Sequence, residues 1–151
     1  MVIVLYTEEI VNNLRTISHR EVAAIEDADA RYRAEAGSEK MEEIYRCVWE
    51  AFARLSARCS RWLKATYQNR RDNVMNIPTQ FGFEFLLSER RSINNTEPLL
   101  NEMHTFMVEY ALSKFYSTVN QGELSNKHSL LAIDAGNNID QILYTKQPPR
   151  V

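Results

Sequence analysis

Met41-Glu42-Glu43-Ile44-Tyr45-Arg46-Cys47-Val48-Trp49-Glu50-Ala51-Phe52-Ala53-Arg54-Leu55-Ser56-Ala57-Arg58-Cys59-Ser60-Arg61-Trp62-Leu63-Lys64 is the stretch on which the fold class turns. Its apolar members Met41, Ile44, Tyr45, Val48, Phe52, Leu55, Cys59, Trp62 and Leu63 recur at three- and four-residue spacing, the period of one face of an α-helix. The opposite face, Glu42, Glu43, Arg46, Glu50, Arg54, Arg58, Arg61 and Lys64, is acidic first and basic last, an order that complements the helix dipole. A helix over residues 39–67 is predicted, with Phe52, Leu55 and Trp62 in the core.

Upstream, Thr7 is an N-cap residue, Glu8 and Glu9 suit a helix start, and Ile10, Leu14, Ile17, Val22, Ile25, Ala28 and Tyr32 continue one face. These predict a helix over 8–35, stopped by Gly37, with Ser38 capping the next helix. So short a turn makes the two helices antiparallel neighbours. Downstream, Asn76-Ile77-Pro78 prevents a continuous helix, and Phe81, Phe83, Phe85 and Leu87 alternate with Gly82, Glu84 and Leu86. Residues 80–87 therefore read as a strand. It needs a partner, and Val2–Tyr6 is the other β-like segment; the two pair within the chain, or one adds to a neighbouring subunit. Asn94-Asn95-Thr96-Glu97-Pro98 starts a helix over 96–119, closed by Gln121-Gly122. Asn94-Asn95-Thr96 also matches a glycosylation sequon, and is read as a cap. A last helix over 123–144 carries Leu124, His128, Leu131, Ala135, Ile139 and Ile142 on one stripe, ending before Gln147-Pro148-Pro149. The expected fold is mainly α: an antiparallel four-helix bundle-like domain with one or two short β-strands, one domain over 1–151.

Composition agrees with that class. The 151 residues are enough for one core, 44% are hydrophobic and 25% charged, and only four Gly and four Pro interrupt helices. A net charge of −2 supplies no global field for nucleic acid or membranes, so such binding would need a local patch. Met1-Val2-Ile3-Val4-Leu5-Tyr6 is apolar, but Glu8 and Glu9 follow and the run is too short to span a bilayer; it reads as neither leader nor anchor. Cys47 and Cys59 share one predicted helix, about 18 Å apart at the helical rise, beyond disulfide reach. Reduced thiols suggest synthesis in a cytoplasm.

Hydrolase elbows, P-loops, dinucleotide fingerprints and C-x-x-C pairs are absent from the sequence. Glu102 and His104 are two apart, roughly 200° around a helix, which excludes the Glu-x-x-His pairing of di-iron bundles. His19, His104 and His128 fall on separate segments and are assigned structural or surface roles, with no metal, cofactor or catalytic residue implied. Residues 51–91 hold eight bases against three acids. Arg54, Arg58, Arg61, Lys64, Arg70 and Arg71 are the alternative, phosphate-binding candidates of a nucleic-acid-binding or regulatory protein. The simpler reading is a solvated face; Trp62 and Tyr67 are the nearby aromatics, and Trp62 belongs to the core stripe. The helix over 96–119 carries more information. Leu99, Met103, Phe106, Met107 and Tyr110 form one stripe, and Val108, Leu112, Phe115, Tyr116 and Val119 a second on the far side. A helix apolar all round must be covered all round. Either it is the central element, with Phe81, Phe83 and Phe85 among its cover, or another chain covers its second face. Val2, Val4, Phe81, Phe83, Val108, Leu112, Phe115 and Tyr116 are accordingly the protein-interface candidates.

A helical chain that opens Leu5-Tyr6-Thr7-Glu8-Glu9-Ile10 and closes Ile142-Leu143-Tyr144-Thr145-Lys146-Gln147-Pro148-Pro149-Arg150 resembles small proteins from the structural-gene clusters of gut-bacterial tailed phages. In element order it also resembles the helical head–tail connector, or adaptor, family that forms a ring beneath the portal. The phenylalanine-rich strand is a departure, since a plain helical adaptor does not require it. The resemblance implies a non-enzymatic, multimeric neck component. Its partners would be the portal, neighbouring neck or tail proteins and further copies of itself. It would reside in the bacterial host cytoplasm before assembly and in the virion afterwards, with no membrane association.

Overall fold

The computed structural model describes residues 1–68, 78–86 and 96–145. The chain runs β1 (Val2–Tyr6), α1 (Thr7–Val22), α2 (Ala28–Ala34), a 3-10 turn (Ser38–Lys40), α3 (Met41–Cys59), β2 (Leu63–Gln68), β3 (Gln80–Phe85), α4 (Glu97–Thr118) and α5 (Gly122–Thr145). It is mainly helical, with a three-stranded antiparallel sheet ordered β1-β3-β2.

α4 is the central element. It packs against α5, α3, α1 and β1, which is how a helix with two apolar stripes is covered without a second chain. Leu99, Met103, Phe106, Met107, Val108, Ala111, Leu112, Phe115 and Tyr116 are all buried. This corrects the expected pairing of the first two helices as neighbours, since α1 and α3 each lean on α4.

The helix expected over 8–35 is broken. Asp27 takes an extended conformation and its carboxylate accepts from the Asp29 amide, starting α2 anew. The Arg31 guanidinium donates to the Ile25 carbonyl at 3.0 and 2.8 Å and fixes the break. Lys40 Nζ then donates to the carbonyls of Tyr32, Arg33 and Glu35, closing α2 with a cation where Gly37 was the expected stop. Nor does Thr7 cap α1, because its hydroxyl donates to the Pro78 carbonyl at 2.6 Å and ties the helix start to the strand opposite.

The helix expected over 39–67 ends at Cys59, and Leu63–Gln68 is a strand. Trp62 is buried, but from the turn. The periodicity of Cys59, Trp62 and Leu63 coincided with a helical face. The open edge of β3 decided instead, because pairing there satisfies backbone groups of both segments. β3 is the middle strand, with Ile3 opposite Phe83 and Leu5 opposite Phe81 on one side, and Thr66 opposite Phe83 on the other. Phe81, Phe83 and Phe85 are buried, and the first two meet α3, where Phe52 stacks on Phe81 at 4.6 Å and tilts against Phe83 at 5.4 Å.

α4 and α5 are joined by a tight turn in which Asn120 has φ 61°. Gln121 N–H donates to the Tyr116 carbonyl at 2.9 Å and Asn120 N–H to Ser117, the two bonds of a Schellman stop. The left-handed residue is thus Asn120, and Gly122, expected to close the helix, opens the next one. Asn94 and Asn95 of the expected cap, Leu87, and the tail from Lys146 lie outside the described residues.

Candidate functional site

Most of the interface candidates named from sequence do not form a surface. Phe81, Phe83, Val108, Leu112, Phe115 and Tyr116 are buried within this chain, filled in by β1, α1, α3 and α5. Val2 is exposed and Val4 half-buried, on the face of β1 turned away from Ile3 and Leu5.

The described basic residues of 54–71 are for the most part engaged separately within the fold. Arg58 Nε donates to the Gly136 carbonyl at 3.0 Å, and its Nη2 reaches Asn137 at 3.1 Å and Asp140 at 3.0 Å, which clasps α3 to α5. A Cβ at Gly136 would fall 2.5 Å from the guanidinium carbon, so glycine is what admits this side chain. Arg61 donates to the Tyr144 hydroxyl at 2.7 Å, and Lys64 pairs with Glu84 at 3.7 Å. Arg70 and Arg71 lie outside the described residues. Of the four that are described, Arg54 and Arg61 have no ion-pair partner among the described residues, and Arg61 is held by the Tyr144 hydroxyl.

What the structure does build beside Arg54 is a groove of about 630 Å³ over α4, walled by α3 and α5. α3 contributes Arg54, Ala57 and Arg58; α4 contributes Phe106, Tyr110, Ser113 and Lys114; α5 contributes Ser129, Ala132 and Ile133. Small residues on all three helices keep it open. Three cations line it and no carboxylate does. Ile133, on its α5 wall, is 50% exposed, and α5 also exposes Leu130 (63%) and Leu131 (39%) on other faces of the helix. The stripe expected on α5 placed Leu131 inward; the buried row is instead His128, Ala132, Ala135, Ile139 and Leu143. A second hollow of similar volume, between the start of α1 and Tyr45, holds Glu8 and Glu9 as well as Arg15 and so has no single sign.

The other chemistry is internal and was not foreseen. His128, 2% exposed, sits between two carboxylates, with Nδ1 on Glu109 and Nε2 on Glu21 at 2.6 Å. Against two carboxylates both ring nitrogens can donate at once only as the imidazolium. Burial pulls the His128 pKa down, but hydrogen bonds and charge from Glu109 and Glu21 outweigh it and hold the value above the ordinary one. Burial likewise pushes Glu21 up, yet Lys127 at 2.8 Å, His128 and the Tyr116 hydroxyl at 3.0 Å bring it below the usual carboxylate value. Burial raises the Tyr116 phenol. With both nitrogens engaged and the ring stacked on Tyr116 at 5.6 Å, His128 is a clamp joining α1, α4 and α5. His104 accepts from Asn13, and burial lowers its pKa; His19 meets Glu35 at the surface. Cys47 and Cys59 are free and buried, and burial first of all pushes each thiol up to about 12. Among the described residues, no three His, Cys, Asp or Glu side chains are placed to hold a metal ion. No helix among them is long and apolar enough to cross a membrane.

Set against known protein families, curated proteins and solved structures, the chain matches none.

Proposed function

We propose that this chain is a non-enzymatic structural subunit that works by binding other proteins. The observation that carries this reading is the exposed Ile133 on the wall of an open groove lined by cations, with Leu130 and Leu131 exposed on other faces of the same helix. Large apolar side chains left facing solvent on a packed helix are a common mark of a protein-docking surface. The resemblance of the chain's two ends to tailed-phage structural proteins supplies the setting: a multimeric neck component at the head–tail connection. There it would contact the portal, neighbouring neck or tail proteins and copies of itself, first in the host cytoplasm and then in the virion. Val2 and Val4 on an edge strand offer a second contact, since an edge strand can take up another chain. The mainly helical fold around α4 is in keeping with a ring subunit.

Particle composition tests the proposal. Virions purified from a phage encoding this chain should contain stoichiometric copies of it, and their absence would end the structural assignment.

A further inference from the structure

We propose that the groove between α3, α4 and α5 seats an acidic amphipathic helix of a partner protein. This rests on the reading of the chain as a protein-binding subunit and adds the chemistry of what it binds. From Phe106 to Lys114 the floor extends along α4 for about 12 Å at the helical rise, the length of roughly two turns of a docked helix. Ala57, Ser113, Ser129 and Ala132 leave room for inserted side chains, and Phe106, Tyr110 and Ile133 give them apolar contact. A helix laid in such a groove presents anchors at i, i+3, i+4 and i+7.

Charge selects among occupants. Arg58 is committed to Asp140, whereas Arg54 and Lys114 have no ion-pair partner among the described residues. Lys114 Nζ lies over the Tyr110 ring at 5.5 Å, so its charge is held at the groove. Two cations on the rim of a trough of mixed polarity, with no lining carboxylate, match Glu or Asp flanking the apolar face of a helix; a basic or neutral helix would leave both unanswered. A nucleic acid would answer the charge but not the exposed Ile133.

The test uses three stapled helical peptides that share one leucine face and differ only in flanks of Glu, Gln or Lys, titrated against the full chain by fluorescence anisotropy. The Glu peptide should bind at least about tenfold more tightly than the Lys peptide, with Gln between them. The double variant Arg54→Glu, Lys114→Glu should reverse that order, and Ile133→Glu, at an exposed position, should weaken all three about tenfold. Folding of each variant is checked by circular dichroism. Absence of binding by every peptide up to millimolar concentration, or binding indifferent to flank charge and to Ile133→Glu, overturns the inference. Tighter, steeply salt-dependent binding of a DNA duplex, lost in the double variant, would make the groove a phosphate site instead. Self-association abolished by Ile133→Glu would make the occupant a second copy. These outcomes are separable from the particle test: virions can contain the chain while the groove binds no acidic helix, and the reverse.

Discussion

His128→Ala removes the cation from between Glu21 and Glu109, whose side chains are 12% and 13% exposed. Breaking a buried ion pair from one side costs about 3–5 kcal/mol, because the partner charge stays behind without its counter-ion. Here Glu21 keeps Lys127 and the Tyr116 hydroxyl while Glu109 loses its partner, so the lower end, about 3 kcal/mol, is expected. In a chain of this size that is a fall in Tm of roughly 6–12 °C. The pH dependence separates the charge from the packing of the ring on Tyr116. The folded pKa of His128 lies above its ordinary 6.5, so its contribution is complete below 6.5 and is lost as pH rises through the folded value. The folded pKa of Glu21 lies below its ordinary 4.5, so its contribution is complete above 4.5 and is lost as pH falls through the folded value. Both are complete between 4.5 and 6.5. Urea unfolding of wild type and His128→Ala at about pH 6 and about pH 9 should therefore show the difference shrinking at the higher pH. A cost below about 1 kcal/mol at pH 6, or one equal at the two pH values, would show that the imidazolium clamp does not operate.

Phe52→Ala should cost about 3–5 kcal/mol by chemical denaturation, since its ring is buried against Phe81 and Phe83; a loss below about 1 kcal/mol would place it outside the core. Cys47 and Cys59 should not react with a thiol reagent at neutral pH in the native protein and should both react in denaturant, while fast native labelling of either would contradict their burial. Asn120→Gly should be neutral or stabilising and Asn120→Ala should cost about 1 kcal/mol, because the left-handed turn penalises a Cβ; equal effects in thermal melts would remove the Schellman stop from the argument.

The parts of the fold that sequence exposes are those where one local pattern competes with nothing. Residues 41–59 are helical by period, α4 starts beside Pro98, and Phe81, Phe83 and Phe85 alternate as a strand must. Strand β2 was hidden because Trp62 and Leu63 fall where a continuing helix would put them, although Thr66 and Tyr67 are strand formers; the available edge of β3 is a non-local fact. The break before α2 was written at Asp27-Ala28-Asp29, a start signal, but Ile25 and Ala28 continue the face of α1 across it. For α4 the pattern specified that both faces need cover and could not say by what, and the described chain supplies it.

The site was less legible, for a reason of distance along the chain. Glu21 and Glu109 reach His128 from 107 and 19 residues away, on two different helices, and no spacing rule connects them. The local hint is a histidine in the otherwise apolar stripe of α5: a polar ring turned inward must find partners, and the carboxylates that meet it define where α1 docks. The groove left a fainter trace still. Leu130-Leu131-Ala132-Ile133 is an apolar run that turns through the whole circumference of a helix, so a single packed stripe cannot bury all of it. Small residues at Ala57, Ser113, Ser129 and Ala132 carry no signal until three helices bring them to one trough. Arg58 shows why the basic count of 51–91 misleads: a guanidinium that closes α3 onto α5 through Gly136 and Asp140 is spent inside the fold, and what remains for a partner is Arg54 with Lys114, a pair 60 residues apart in sequence that only α4 places together.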